Sequence, residues 1–413
     1  MKTLLKDKYA LTSIFLFGFT LLFWIVALIT RGETINNYYS PDSFDTSMDY
    51  FNMLANIPGL NPYQYNANYP ALCFIFWRIM YRLIPFYPEG NQGKFLRDTM
   101  EAQMGYILYM LICMIILVEL IRCQVKSTEK NKFIMVVTIL LSGSITFTIE
   151  RGNIILLAFL FTLLFVVLYD SQSKNNRYIG YICLAIAAAL KIYPAFFGLL
   201  VLEKKRYKEA INLLLIGIVL FIIPFLFFHG SLDLLTMIKG IFISSENSLD
   251  LGFGYNFSFF NLVRICYAFV GIYLQKVSSI LYVIPLVLCV FMYTGNKNFW
   301  KKSFAIVLFM IWIPSFSYTY TLIFLIIPLL ALLREKLNKK NIIYLLLLLL
   351  TQIPYFLPPI ENINNLVDGG FKFQLTWGMS IINLCLLILA LILSIEGIIN
   401  IIKKMKAHIM IKR

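Results

Sequence analysis

Asp42, Asp45 and Asp49 stand close together in PDSFDTSMDYFNMLANIPGLNPYQYNANYP, residues 41–70. A carboxylate within hydrogen-bond reach of a hydroxyl can take its proton, so this cluster suits general-base chemistry. The four-residue spacing of Asp45 and Asp49 puts them on one face of a helix over DTSMDYFNML. In that register Phe44, Met48, Phe51 and Ala55 form an apolar stripe, as in a helix lying in a membrane interface. Acids flanked by aromatics beside a bilayer suit work on a lipid-linked substrate; the alternative is an acidic solvated loop.

Two cations could answer negative charge, Arg151 in an ERGN run with Asn153, and Lys191 in AAALKIYP with Tyr193. Residues 229–258 add His229, Lys239, Glu246, Asp250, Asn256 and Ser258, and the run PSFSYTY adds Ser315, Ser317, Tyr318 and Tyr320. Each has a plainer alternative. Glu150 and Arg151 could neutralise each other at a helix end, Lys191 could snorkel to an interface, and the two tyrosines could belong to an aromatic belt.

The elements that must position these residues are membrane helices. The 413-residue chain is 60% hydrophobic and 14% charged, with mean hydropathy +0.78, and apolar runs near twenty residues recur along it. Spanning segments must close their own backbone hydrogen bonds, which predicts an all-α polytopic protein of about 10–12 transmembrane helices or half-helices. The seven cysteines are scattered without a CxxC pair, and most sit in apolar runs as small hydrophobes. With only His229 and His408, a histidine triad or zinc site is excluded, and no Asp/Glu/His set suggests another metal or a cofactor.

Residues 11–30 form the first span. Lys2, Lys6 and Lys8 precede it and no small-x-small site follows, so it reads as an anchor with a cytoplasmic N-terminus. Later runs fall at about 103–121, 133–149, 153–169, 179–201, 209–228, 277–294, 303–314, 318–333, 341–357 and 377–400. Basic clusters at 122–132, 173–177, 203–208, 296–302, 334–340 and the C-terminus go to the cytoplasm. The net charge of +15 is therefore a topology signal and not a nucleic-acid footprint. Hairpins then point ERGN and PSFSYTY outward. The run 179–201 dips in and returns, broken around Lys191-Ile-Tyr-Pro194, and 259–275 with Arg264 stays on the outer side. This gives one membrane-embedded domain. It has a first extracytoplasmic loop at 31–102, a helical core at 103–335, and C-terminal helices with a basic tail at 336–413.

In order, the chain shows an Asp-bearing first loop ending in a proline-tyrosine run, then RGN, AAALKIYP, GYNFSFFNLVRI and PSFSYTY. Over roughly residues 10–335 this resembles the bacterial membrane glycosyltransferases of family 87, in the C-type superfamily. Their best-known members use polyprenyl-phosphate mannose. Asp45, the NPY at 61–63 and Tyr69-Pro70 match the family's first loop, and Ala71 replaces a second proline. Asn256 and Ser258 match a Gly-Asn-Gln-Ser run whose Gln is missing here.

The resemblance implies a GT-C-like fold in a bacterial plasma membrane and inverting transfer on its outer face. The donor would be a polyprenyl-phosphate sugar, and the acceptor a lipid-linked or polymeric cell-envelope glycan, with membrane lipid around both. Asp45 matches the base and Asp49 is second, and charge does not separate them. Arg151 and Lys191 would meet the phosphate. Asn153, Tyr193, Asn256, Ser258, Ser317, Tyr318 and Tyr320 would line the substrate site. A transporter would show an internal repeat with paired broken helices, and a lipid-linked oligosaccharide polymerase or ligase would carry a large late outer loop.

Overall fold

The computed structural model describes residues 7–39, 45–55, 61–65, 67–83, 93–228, 231–336, 338–367 and 370–412. Asp42, Phe44 and His229 lie outside them. The fold is 77% helical and has no named strand among the described residues, so the apolar segments satisfy their backbone internally as the composition requires.

Helix α1 (Lys8–Ile29) starts where the Asp7 carboxylate accepts from the main-chain N–H groups of Tyr9 and Ala10, at 3.0 and 3.3 Å. Then come α2 (Met48–Ala55), α3 (Ala71–Leu83) and α4 (Met100–Gln124). They are followed by α5 (Glu129–Leu140), α6 (Gly143–Arg151), α7 (Ile155–Leu168), α8 (Lys174–Leu190), α9 (Tyr207–Ile222) and α10 (Ser231–Asp250). The remainder holds α11 (Phe259–Ala268), α12 (Val283–Gly295), α13 (Phe299–Trp312), α14 (Ile326–Leu332), α15 (Lys339–Leu350) and α16 (Trp377–Lys412).

Among the described residues Lys8–Ile29, Met100–Gln124, Tyr207–Phe227 and Trp377–Ala407 are long and apolar enough to cross a membrane. The pair α5 and α6 makes a fifth span if its 51° bend lies within one crossing. Shorter apolar helices at Ile155–Leu168, Tyr193–Glu203, Phe259–Ala268, Ser279–Gly295 and Thr319–Leu332 complete an all-α polytopic architecture of spans and part-spans.

Three segments depart from the expectation. The run 133–149 is not one helix, because at Gly143 the main-chain N–H leaves the helical ladder for the Gln352 carbonyl at 2.6 Å. A Cβ at that position would stand 2.9 Å from the Pro354 nitrogen and 2.5 Å from the Tyr38 hydroxyl, so the approach depends on glycine. The run 341–357 is helical only to Leu350, ahead of Pro354, Pro358 and Pro359, which cannot donate to a ladder. The last helix runs on through the basic tail to Lys412.

The chain divides into two compact units. One comprises Asp42–Cys123 and Phe147–Glu246. Within it α8 packs against α3, α7 and α9, and α2 against α3. Tyr63, Ala71, Phe74, Phe225 and Met237 form a buried core there. The other unit comprises Met1–Pro41, Gln124–Thr146 and Asn247–Arg413. In it α1 packs on α5, and α12 packs on both α13 and α16. The Glu396 carboxylate of α16 ties down Lys301 of α13 and Lys340 and Tyr344 of α15.

The basic clusters predict sidedness that can be measured. In a background with the exposed Cys123 and Cys266 replaced by serine, Thr46→Cys and Asn362→Cys should react with a membrane-impermeant maleimide added from outside, whereas Thr128→Cys and Asn338→Cys should not. External labelling at Asn338→Cys would reverse the orientation.

Candidate active site

The expected helix over DTSMDYFNML begins only at Met48, so Asp45 and Asp49 do not share a helical face. Ser47 intervenes with φ of +58°, a left-handed conformation unusual for a residue with a Cβ. That turn is held because the Ser47 N–H donates to the Glu150 carbonyl at 2.6 Å, while the Ser47 carbonyl accepts from Tyr50. Met48, Phe51 and Ala55 of the expected stripe are buried, as are Tyr50 and Leu54, so α2 is a packed helix of its unit.

What gathers the aspartates is Arg151. Its Nη1 donates to Asp45 Oδ2 at 2.6 Å and to the Asp45 carbonyl at 3.1 Å, and its Nη2 donates to Asp49 Oδ1 at 2.7 Å. The arginine side chain is 7% exposed, Asp49 21% and Asp45 36%, so Asp45 is the carboxylate more open to a reacting group. Charge-assisted hydrogen bonds of this kind contribute about 1.5–3 kcal/mol each. Glu150 takes no part in the pairing, and both its carboxylate oxygens are buried with no hydrogen-bond partner among the described residues. The alternative of neutralisation by its neighbour thus gives way to a long-range pairing.

The next two residues of the tip complete the arrangement. Gly152 has φ of +66°, and a Cβ there would stand 2.9 Å from Tyr50 Cβ, so the glycine of RGN lets the tip close on α2. Asn153 is buried, and its Nδ2 donates to Asp49 Oδ2 at 2.8 Å and to the Tyr69 hydroxyl at 3.0 Å. Its Oδ1 accepts from the Ile155 N–H, which ties the side chain to the start of α7. Both oxygens of Asp49 are thereby engaged.

Lys191 sits where the sequence expected a break. It caps α8 in extended conformation, and a 3₁₀ turn, Tyr193–Gly198, follows with Pro194 in its first turn. The Lys191 ammonium lies 4.0 Å from the centroid of the Tyr69 ring. Its charge also reaches Cys73, whose thiol burial pushes up to about 12 against that pull, leaving it an unreactive core group. Tyr193, half-buried, opens the 3₁₀ turn. An apolar groove of about 670 Å³ in the same unit is lined by Ala188, Ile192, Ala195, Leu199, Ala210 and Ile218, and Lys191 is not part of its lining.

The remaining expected residues meet in the other unit. Asn256 is buried, and its Oδ1 accepts from the N–H groups of Ser258 and Ser317 at 3.0 and 2.9 Å. The Ser258 hydroxyl donates to the Ser315 carbonyl at 2.9 Å, and Ser317 Oγ shares a hydrogen bond with Thr321 at 2.9 Å. These polar groups stitch the GYNFS and PSFSY loops together and carry Tyr318 and Tyr320, half-buried, with ring centroids 5.1 Å apart. Tyr318 also stacks on Tyr255 at 5.8 Å and meets Phe373 at 6.1 Å. Segment 371–376 joins these loops through Gly254 N–H to Phe373 O at 2.8 Å, a partner the sequence reading missed. It also left Tyr69 out of the site, although the Tyr-Pro pair at 69–70 had flagged it.

Among the described residues no group of three His, Cys, Asp or Glu stands where it could hold a metal ion. No curated protein and no solved structure matches this chain. A family model, Glycosyltransferase family 87, matches residues 96–315. The match contains the RGN tip, the break at Lys191 and the GYNFS loop, and it begins after the aspartates and ends before Ser317. Covering more than half of the 413 residues, it shows that the chain belongs to glycosyltransferase family 87.

Proposed function

We propose that this GT-C-like membrane glycosyltransferase moves a sugar, with inversion, from a polyprenyl-phosphate donor to a lipid-linked or polymeric glycan of the cell envelope, on the outer face of a bacterial plasma membrane. The observation that carries the reading is the set of groups within one unit: an exposed aspartate on a buried arginine, a lysine joined to that cluster through Tyr69, and an apolar groove lined by Ile192, Ala195, Leu199, Ala210 and Ile218.

Each part has a role in the reaction. An acceptor hydroxyl oxygen attacks the anomeric carbon while Asp45 takes its proton. The bond from that carbon to the phosphate oxygen breaks, and the electron pair leaves with polyprenyl phosphate. A single in-line displacement inverts the centre and needs one base, for which Asp45 is better exposed than Asp49. Arg151 is committed to the two carboxylates, so it positions the base, and Asp49 and Asn153 hold that pairing. The negative charge growing on the phosphate then falls to Lys191. The groove along Ala195 and Ala210 suits the isoprenoid chain. Tyr193, in the 3₁₀ turn after Lys191, is proposed to contact the donor. In the other unit, Asn256, Ser258 and Ser317 hold the loops that carry Tyr318 and Tyr320.

Purified protein in detergent, given a panel of polyprenyl-phosphate sugars, should consume one of them in the presence of a membrane glycan extract. Consumption of nucleotide sugars alone would contradict the lipid-linked donor. Asp45→Asn keeps volume and hydrogen bonding but takes no proton, and it should lower the turnover rate about 10²–10⁴-fold with donor binding retained. Asp49→Asn should cost less. Full activity of Asp45→Asn with an inactive Asp49→Asn would transfer the role of base.

Lys191→Ala should weaken donor use by about ten- to a hundredfold, the value of a charge-assisted contact to phosphate. The effect should appear in donor KM, measured at saturating acceptor. Normal kinetics in this variant would move the phosphate site elsewhere.

A further inference from the structure

Tyr69 stands at the junction of the two halves of this site. Its ring face carries the Lys191 ammonium at 4.0 Å, and its hydroxyl accepts the Asn153 amide at 3.0 Å. The same amide nitrogen donates to Asp49, which shares Arg151 with Asp45. One continuous run of contacts therefore leads from Lys191 through Tyr69, Asn153, Asp49 and Arg151 to Asp45.

The backbone beneath Tyr69 is fixed independently of those contacts. Pro70 restricts the residue before it to extended conformations, and the Pro70 carbonyl accepts from Cys73 in the first turn of α3. The Tyr69 carbonyl accepts the buried Tyr63 hydroxyl at 3.0 Å. The Tyr63 N–H in turn donates to Asn61 Oδ1, and Asn61 Nδ2 donates to the buried Asp233 carboxylate of α10, each at 3.0 Å. The NPY run thus holds Tyr69 in place from α10. A residue needed only for packing would have no use for a hydroxyl aimed at Asn153.

We infer that Tyr69 is a two-ended positioning residue, its ring presenting the Lys191 cation to the donor phosphate and its hydroxyl fixing, through Asn153, the aspartate pair that takes the acceptor proton. The inference rests on the assignment of Asp45 and Lys191 made above. A π face holds an ammonium less strongly than a phosphate does, so the ring keeps the lysine directed and gives it up when the anionic donor arrives.

The two ends are separable by substitution. Tyr69→Phe keeps the ring and removes the acceptor for Asn153, so it should lower kcat about three- to tenfold with donor KM unchanged. Tyr69→Leu removes the ring, and donor KM should rise about three- to thirtyfold. Inhibition by polyprenyl phosphate without a sugar should weaken in the same proportion in Tyr69→Leu and stay at the wild-type level in Tyr69→Phe. If Tyr69→Leu does not fold, Tyr69→Met repeats the ring test with a side chain of similar reach and no π face. Equal changes of kcat and KM in both variants, or wild-type values in both, would overturn the inference. Asp45→Asn and Lys191→Ala run alongside separate the two levels. If they are impaired while Tyr69 shows no split, only this inference fails; if they behave as wild type, the underlying site assignment fails with it.

Discussion

A guanidinium that is 7% exposed cannot stand alone at the end of a membrane helix, and Arg151 is neutralised by carboxylates that arrive from about a hundred residues earlier in the chain. That requirement sets most of the local structure. The chain before α2 must turn sharply to deliver Asp45, and the left-handed Ser47, held by the Glu150 carbonyl, provides the turn. The tip after α6 must close on α2 without a side chain in the way, and Gly152 provides that. Removing the arginine would leave two like charges facing each other, so the cluster is a single cooperative unit rather than two salt bridges that happen to adjoin.

The same arrangement separates the roles of chemically identical groups. Asp49 has both oxygens engaged, by Arg151 and Asn153, and is the less exposed of the pair. Asp45 pairs with the same arginine through Oδ2 and is 36% exposed. Environment, not residue type, leaves one carboxylate more exposed than the other. Lys191 gains its direction from the end of α8 and an aromatic face.

In the other unit, polar residues serve the backbone. The Asn256 and Ser258 side chains bond main-chain groups of the facing loop, Ser315 O and Ser317 N–H, where the absence of regular structure would otherwise leave buried backbone groups unpaired, and the Ser317 hydroxyl pairs with Thr321. Their effect is to fix Tyr318 and Tyr320 rather than to expose polar atoms of their own.

The membrane class, the main spans and the break at Lys191 were legible in the residues themselves, because each follows from a local quantity: the length of an apolar run, a proline after a charge. The aspartates, Arg151, Asn153 and Lys191 were also picked out, since charge in a hydrophobic chain is costly wherever it falls. Their pairing was not legible. Sequence adjacency offered Glu150 as one partner for Arg151 and a helical face for Asp45 with Asp49, and the structure chose neither, because partners are decided by which segments pack together. The bend at Gly143, the early end of α15 at Leu350, and the joining of segment 371–376 to the GYNFS loop have the same origin, a contact between residues far apart in the chain. Tyr69 is the clearest case. Its motif was visible, but its position between a cation and an amide exists only once α8, the ERGN tip and the NPY run have been brought together.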